Sequence, residues 1–323
     1  MPEPHVYSIP MRTRFRGIDV REGVLLRGDA GWGEFSPFLE YDARVAEPWL
    51  RAAREATEQG WPEPRRTTVP VNVTVPAVGP EHAAEIVRVG NGCRTAKVKV
   101  AEPGQTLAQE QARLEAVRDT LGRDGRIRVD ANGAWSVDEA VIRIPLLDKA
   151  AAGLEYVEQP TADVHDLARV RRRVDVPIAA DESIRRAADP YLVRDLEAAD
   201  VAVLKVQPLG GVRACLRIAE DIGLPVVVSS ALETSVGIAA GVALAAALPE
   251  LTHACGLATV QLLTDDVVLD PLLPVAGELP VGAVAVDPEA LVRTGAPDER
   301  TRHWLRRLAE VEALRAHRQD ALP

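Results

Sequence analysis

The sequence predicts an α/β protein: a modified (β/α)8 barrel of the TIM type joined to a small α+β capping domain. Between residues 69 and 266, short β-branched runs alternate with helical stretches, the pattern of βαβ units around a parallel sheet. The first 68 residues read instead as antiparallel strands followed by a helix. Ionisable residues recur at the ends of successive barrel strands, where this architecture carries its chemistry.

In the N-terminal part of the cap, 1–68, strands are expected at 6–16 and 23–28, a turn at Gly31-Trp32-Gly33, and a helix at 43–59. In the barrel, 69–266, strands are expected at 69–75, 95–100, 127–130, 154–158, 178–181, 201–206, 226–229 and 252–256. Helices are expected at 107–121, 137–151, 167–173 and 212–222, and Gly153, Pro177 and Pro225 mark turns into following strands. An open doubly wound sheet is the alternative, but no Gly-x-Gly-x-x-Gly turn follows an early strand. Segment 267–323 is rich in Pro and Gly and ends in a helix at 299–317. Its stripe of Trp304, Leu305, Leu308, Val311 and Leu314 needs a surface to cover, so the tail is expected to return to the cap.

Bulk properties narrow the function class. A formal charge of −10 with no basic stripe argues against a nucleic-acid partner. Cys93, Cys215 and Cys255 are odd in number and lack metal-ligand spacing, which points to a reducing compartment, the cytoplasm. The opening Met1-Pro2-Glu3-Pro4-His5 lacks a signal-peptide pattern, and the apolar stretch 239–248 is too short to span a bilayer. The expectation is a cytoplasmic enzyme acting on a small molecule, with no membrane association and no obligatory protein partner.

Only four of the 38 Lys and Arg residues are lysines: Lys97, Lys99, Lys149 and Lys205. Unlike arginine, lysine can lose its proton near neutral pH when its site depresses the pKa. Codon bias explains the scarcity, but not why three of the four lie in strand-like runs. Lys97 and Lys99 are two apart in one run, so both point to the same face, and like charges there depress each other's pKa. Such lysines suit proton transfer.

Four successive strand ends carry Asp130, Glu158, Asp181 and Lys205, at separations of 28, 23 and 24 residues, about one βα unit each. Any one acid alone reads as a helix cap or a solvated strand end. Three carboxylates converging on one barrel mouth repel one another unless a cation neutralises them. All-oxygen ligation favours a hard ion, and Mg2+ fits best, with Lys99 on one side of it and Lys205 on the other.

This ordered series resembles the enolase superfamily, in the muconate-lactonising subgroup, over nearly the whole chain. Within it, Arg128-Val129-Asp130-Ala131-Asn132, Glu158-Gln159-Pro160, Asp181-Glu182 and the stretches 15–23 and 229–237 look like the motifs of the o-succinylbenzoate synthase family of menaquinone biosynthesis. The resemblance implies one Mg2+ on Asp130, Glu158 and Asp181. It implies Lys99 as the base, with Lys97 depressing its pKa and touching a substrate carboxylate, and Lys205 as a cation on the opposite face. The implied reaction is dehydration of 2-succinyl-6-hydroxy-2,4-cyclohexadiene-1-carboxylate through an enediolate.

Several further residues have two readings each. Ser229 and Ser230 can hydrogen-bond the succinyl carboxylate or simply form a strand-end turn. Arg128 faces the same side as Asp130, and can reach a substrate carboxylate or sit in a structural ion pair. The amides at Gly210-Gly211 can hold an anion or make a turn. Asn132 and Glu182 are expected to orient the metal ligands. An N-succinylamino acid racemase or other epimerase uses the same lysine geometry, although Gly256-Leu257-Ala258-Thr259 lacks the Asp-x-Asp of dipeptide epimerases. A Schiff-base aldolase using Lys205 leaves the carboxylates unexplained, and a non-catalytic metal-binding scaffold leaves the lysines unexplained.

Overall fold

A three-stranded antiparallel sheet is formed by β1 (His5–Phe15), half-exposed toward its end, β2 (Ile18–Gly28), buried from Arg21 to Leu26, and β3 (Gly31–Phe35). The computed structural model describes residues 3–320, with side chains through residue 316. Residues 1, 2 and 321–323, the ends of two expected segments, lie outside the described residues. Arg16 and Gly17, at φ of 51° and 76°, form the left-handed pair that a tight hairpin needs between β1 and β2. The turn expected at Gly31-Trp32-Gly33 is not there. The chain reverses at Asp29-Ala30, with Gly28 opposite Gly31, and residues 31–33 begin β3. Gly33 serves packing instead, because a Cβ there would strike the Ala53 carbonyl of the helix Ala43–Glu58.

That helix starts at Asp42, whose carboxylate accepts the amides of Arg44 and Val45. It buries Ala46, Trp49, Leu50 and Ala53 against Phe35 and Phe38. The last helix, Asp298–Asp320, lays Trp304, Leu308 and Val311 on the same core. Leu305, expected in that stripe, is 37 % exposed, because it falls beside the face that 304, 308 and 311 define.

The barrel wall holds seven parallel strands in sequence order: β5 (Val73–Val75), β6 (Thr95–Lys99), β7 (Arg126–Asp130), β8 (Val157–Glu158), β9 (Ile178–Ala180), β10 (Val201–Lys205) and β11 (Val226–Ser229). The expected first strand, 69–75, is split. Its front half, β4 (Thr68–Pro70), pairs antiparallel with β12 (Glu278–Pro280) outside the barrel. The expected eighth strand, 252–256, pairs only at Cys255 with Val71 and at Gly256 with Ser229. The Asn72 amide donates to the Cys255 carbonyl, and the Gly256 amide to Val228. Crossover helices begin with capping boxes at Thr106/Gln109 and Ser136/Glu139. The helix Ser235–Ala247 is buried along its whole length, which explains the apolar stretch. No helix among the described residues is long and apolar enough to cross a membrane.

Candidate active site

Paired residues of adjacent parallel strands point to the same face, so register decides what meets inside the barrel. Lys97 lies opposite Arg128, Lys99 opposite Asp130, Asp130 opposite Glu158, and Lys205 opposite Ser229. Asp181 follows directly on β9. The Lys97 ammonium bridges Glu158 at 2.8 Å and Asp130 at 3.0 Å. Lys99 donates to Asp130 and to Asn132, both at 2.5 Å. From the far wall, Lys205 donates to Asp181 at 2.6 Å, and Arg185 holds the other oxygen of that carboxylate at 2.8 Å.

The two lysines of β6 differ electrostatically. Burial works against the charge on Lys97, but Asp130 and Glu158 outweigh it and hold its pKa well above the ordinary value. Burial lowers the Lys99 pKa, the charge of Lys97 adds to that, and Asp130 opposes it only in part. Glu158 is pushed up to about 7 by burial and by the neighbouring charge of Asp130. Burial would raise Asp130 as well, but Lys97 and Lys99 hold it far below the usual carboxylate range. Asp181, equally buried, is pulled down to about 2 by Arg185 and Lys205.

The three carboxylates do not close on a single point. No group of three ligating side chains stands at metal-holding distance among the described residues, since lysines sit between the acids. The donor set nevertheless fits a hard divalent cation. It offers three buried carboxylates, the all-oxygen ligation such an ion prefers, which would have to exchange their lysine partners for it.

A small cavity of about 50 Å3 opens over these groups, lined by Lys97, Lys99, Lys205, Ser229 and Ser230 from the barrel and roofed by Phe15, Arg16 and Phe38 from the cap. A larger one, about 520 Å3, lies alongside and shares Thr74, but it contains none of the three lysines or three carboxylates. The three lysines, each paired with at least one of the carboxylates, therefore meet at the smaller cavity.

The remaining expected residues divide. Ser229 and Ser230 face the cavity, and Ser230 pairs with Thr259 at 2.7 Å. Asn132, at φ of 47°, links Lys99 to Glu182, and Glu182 continues to Arg185. Arg128 is corrected to its structural reading. It is fully buried below the mouth, its guanidinium held by Glu155 at 2.5 Å, the Tyr156 hydroxyl at 2.8 Å and the Ala254 carbonyl at 2.9 Å. Gly210 is corrected too. Its amide and that of Gly211 donate to the Gln207 and Val206 carbonyls, and a Cβ on either glycine would run into Arg51 or Glu55 of the capping helix. The anion at this turn is the protein's own Glu55, which accepts from the Arg213 amide and guanidinium. Sequence reasoning missed Thr74, Phe38 and Arg185, and took in Arg16 and Thr259 only as members of the stretches 15–23 and 256–259. Only Arg185 left a usable signal, one helical turn after Asp181.

Residues 81–286 match the family model described as Enolase C-terminal domain-like, and residues 6–57 match Enolase N-terminal domain-like. A curated o-succinylbenzoate synthase of Thermobifida fusca is 66% identical over 95% of this chain and 95% of its own length. Muconate lactonizing enzyme from Pseudomonas putida shares the fold at TM-score 0.75 and 20% identity, covering 91% of this chain and 98% of that one. A dipeptide epimerase from Enterococcus faecalis V583, complexed with Mg and the dipeptide L-Leu-L-Tyr, does so at TM-score 0.74 and 24% identity, over 88% and 97%. The chain belongs to the enolase superfamily, and within it to the family of the o-succinylbenzoate synthases.

Proposed function

We propose that this protein dehydrates 2-succinyl-6-hydroxy-2,4-cyclohexadiene-1-carboxylate to 2-succinylbenzoate, a step of menaquinone biosynthesis. The observation that carries the mechanism is the split between two neighbouring lysines: Lys97 is held as a cation by two carboxylates, while burial and that cation depress Lys99. Asp130, Glu158 and Asp181 would hold a Mg2+, which would supply Lewis-acid stabilisation to charge developing on the substrate carboxylate. Lys97 adds a fixed positive charge to the same oxygens. Lys99 removes the α-proton as a neutral amine and returns it to the departing hydroxyl on the same face, so that water leaves and the ring becomes aromatic. Lys205, ion-paired with Asp181 on the opposite wall, stays a cation throughout. Asn132 aims Lys99, and Ser229 and Ser230 take the succinyl carboxylate. A Schiff-base role for Lys205 is disfavoured, because its ammonium is engaged as an ion-pair partner and not offered as a free nucleophile.

The test is a parallel assay of the purified protein with Mg2+ on the cyclohexadiene substrate and on N-succinylamino acids, following aromatisation and α-deuterium exchange. Dehydration is expected to dominate. Rapid racemisation with negligible dehydration would overturn the reading.

A further inference from the structure

One wall of the catalytic cavity is held from outside the barrel. Ala231 and Leu232, just beyond β11, line the cavity, and Leu232 is at φ of 65°, a left-handed conformation that a leucine rarely takes without support. Its side chain is buried in the core of the cap, beside Phe35 and Phe38. The support comes from β2. Arg21, 2 % exposed, donates from Nε to the Leu232 carbonyl at 2.8 Å and from Nη2 to the Ala231 carbonyl at 3.2 Å. The same guanidinium reaches the Ser36 hydroxyl at 2.9 Å, the Ser36 carbonyl, and the Glu22 carbonyl at 3.1 Å. Its Cζ lies 4.8 Å from the ring centre of Phe38, another cavity-lining residue. A few residues further along, Glu34 of β3 accepts the Thr234 amide at 3.1 Å and its hydroxyl at 2.5 Å, fixing the far end of the loop to the cap.

We propose that Arg21 is a positioning residue of the site: it sets the 231–232 wall and the Phe38 roof over Lys99 and Lys205, and thereby the fit of the substrate arm that lies away from the reacting carbons. Arg21 touches no reacting group. Its planar fork serves two consecutive carbonyls and a ring face at once, which a lysine cannot do. The effect should therefore fall on substrate binding more than on proton transfer. This inference rests on the synthase reading above for its substrate, but its structural part does not.

The experiment compares Arg21→Gln, Arg21→Lys and Leu232→Gly in the Mg2+-loaded full-length protein. It measures steady-state kinetics on the cyclohexadiene substrate and amide hydrogen exchange across residues 229–237. Arg21→Gln is expected to raise KM about tenfold while kcat falls no more than about threefold. Arg21→Lys should lie between it and wild type. Exchange at 231–234 should quicken without change in the β6 and β7 amides. If Arg21→Gln does not fold, Leu232→Gly, which removes the strained side chain and leaves Arg21 in place, should raise KM in the same direction. KM within twofold of wild type in every folded variant, or unchanged exchange at 231–234, overturns the proposal. A wild-type protein that fails to dehydrate the substrate, while Arg21→Gln still loosens the loop, counts against the synthase reading and not against the clamp.

Discussion

Two clusters of buried charge stand one above the other inside this barrel. In the lower one, Arg128 is matched to Glu155, Tyr156 and a backbone carbonyl, and His253 closes the far side of Glu155 at 3.0 Å. Glu155 is pulled down to about 2 there, since His253 and Arg128 outweigh its burial. In the upper cluster the cations are lysines, and the groups disagree: Asp130 is held low, Glu158 is pushed up to about 7, Lys97 is raised and Lys99 lowered. The lower cluster uses a cation that never gives up its proton and sets it against one carboxylate, one hydroxyl and one carbonyl. The upper one holds two of its lysines as ion-pair partners and sets a third, Lys99, where burial and a neighbouring cation favour release of its proton. The difference separates charge kept for structure from charge arranged for chemistry.

The comparison breaks most visibly at Lys99. Lys99→Arg keeps the charge but makes the upper cluster resemble the lower, and turnover should fall about 10⁴-fold, the upper range for a general base. Circular dichroism and Mg2+ binding should remain as in wild type. If Glu158 holds the metal as proposed, Glu158→Gln should cost about 10²–10³-fold in rate, checked by metal titration after exhaustive chelation. Lys205→Arg keeps a cation on the far wall, so dehydration should persist at a cost of about 10²-fold from altered geometry. Any racemisation of N-succinylamino acids should vanish, because that reaction needs a second acid–base lysine.

Arg128→Met tests the lower cluster in the opposite sense. It strands Glu155 without its main partner and should lose about 3–5 kcal/mol of stability in denaturant unfolding. Turnover of the folded fraction should change less than tenfold. The smallest expected effect is on pH. Burial and the charge of Asp130 push Glu158 up to about 7, against an ordinary 4.5. Mg2+ binding should release close to one proton at pH 6 and almost none at pH 8, read by calorimetry in buffers of different ionisation enthalpy. The sign for stability follows: the folded state holds this proton more tightly than the unfolded chain, so the group's contribution in metal-free protein declines as pH rises from about 4.5 through about 7.

Much of the upper cluster was legible in the sequence, because it depends on local rules. Lys97 and Lys99 share a face through the two-residue period of a strand, and Asp130, Glu158 and Asp181 recur once per βα unit. What stayed hidden depends on partners remote in sequence. Arg128 shares the face and the spacing of a site residue, and only the fold reveals Glu155 and Ala254 around it. Gly210 reads as an anion-binding turn, and only the fold supplies Glu55. Gly31 and Gly33 read as a reversal because glycine marks both turns and close backbone contacts, and Ala53 makes the difference at Gly33. The cap residues over the cavity carry no periodic signal, since their positions follow from how two domains meet. β8 keeps only Val157 and Glu158 in the ladder, too few to set its bounds from propensity.

The shortened eighth strand gives the barrel a clasp. Seven strands are joined in sequence order by parallel pairing, whereas among the described residues the ring is fastened through Cys255 and Gly256 alone. Gly256 is pressed so near Ser229 that an added Cβ would come within 2.6 Å of the serine hydroxyl oxygen. Fastener and cavity wall are therefore adjacent. Slack in the hoop would open between β5 and β11, at Ser229 on one side and one strand away from the lysines of β6 on the other.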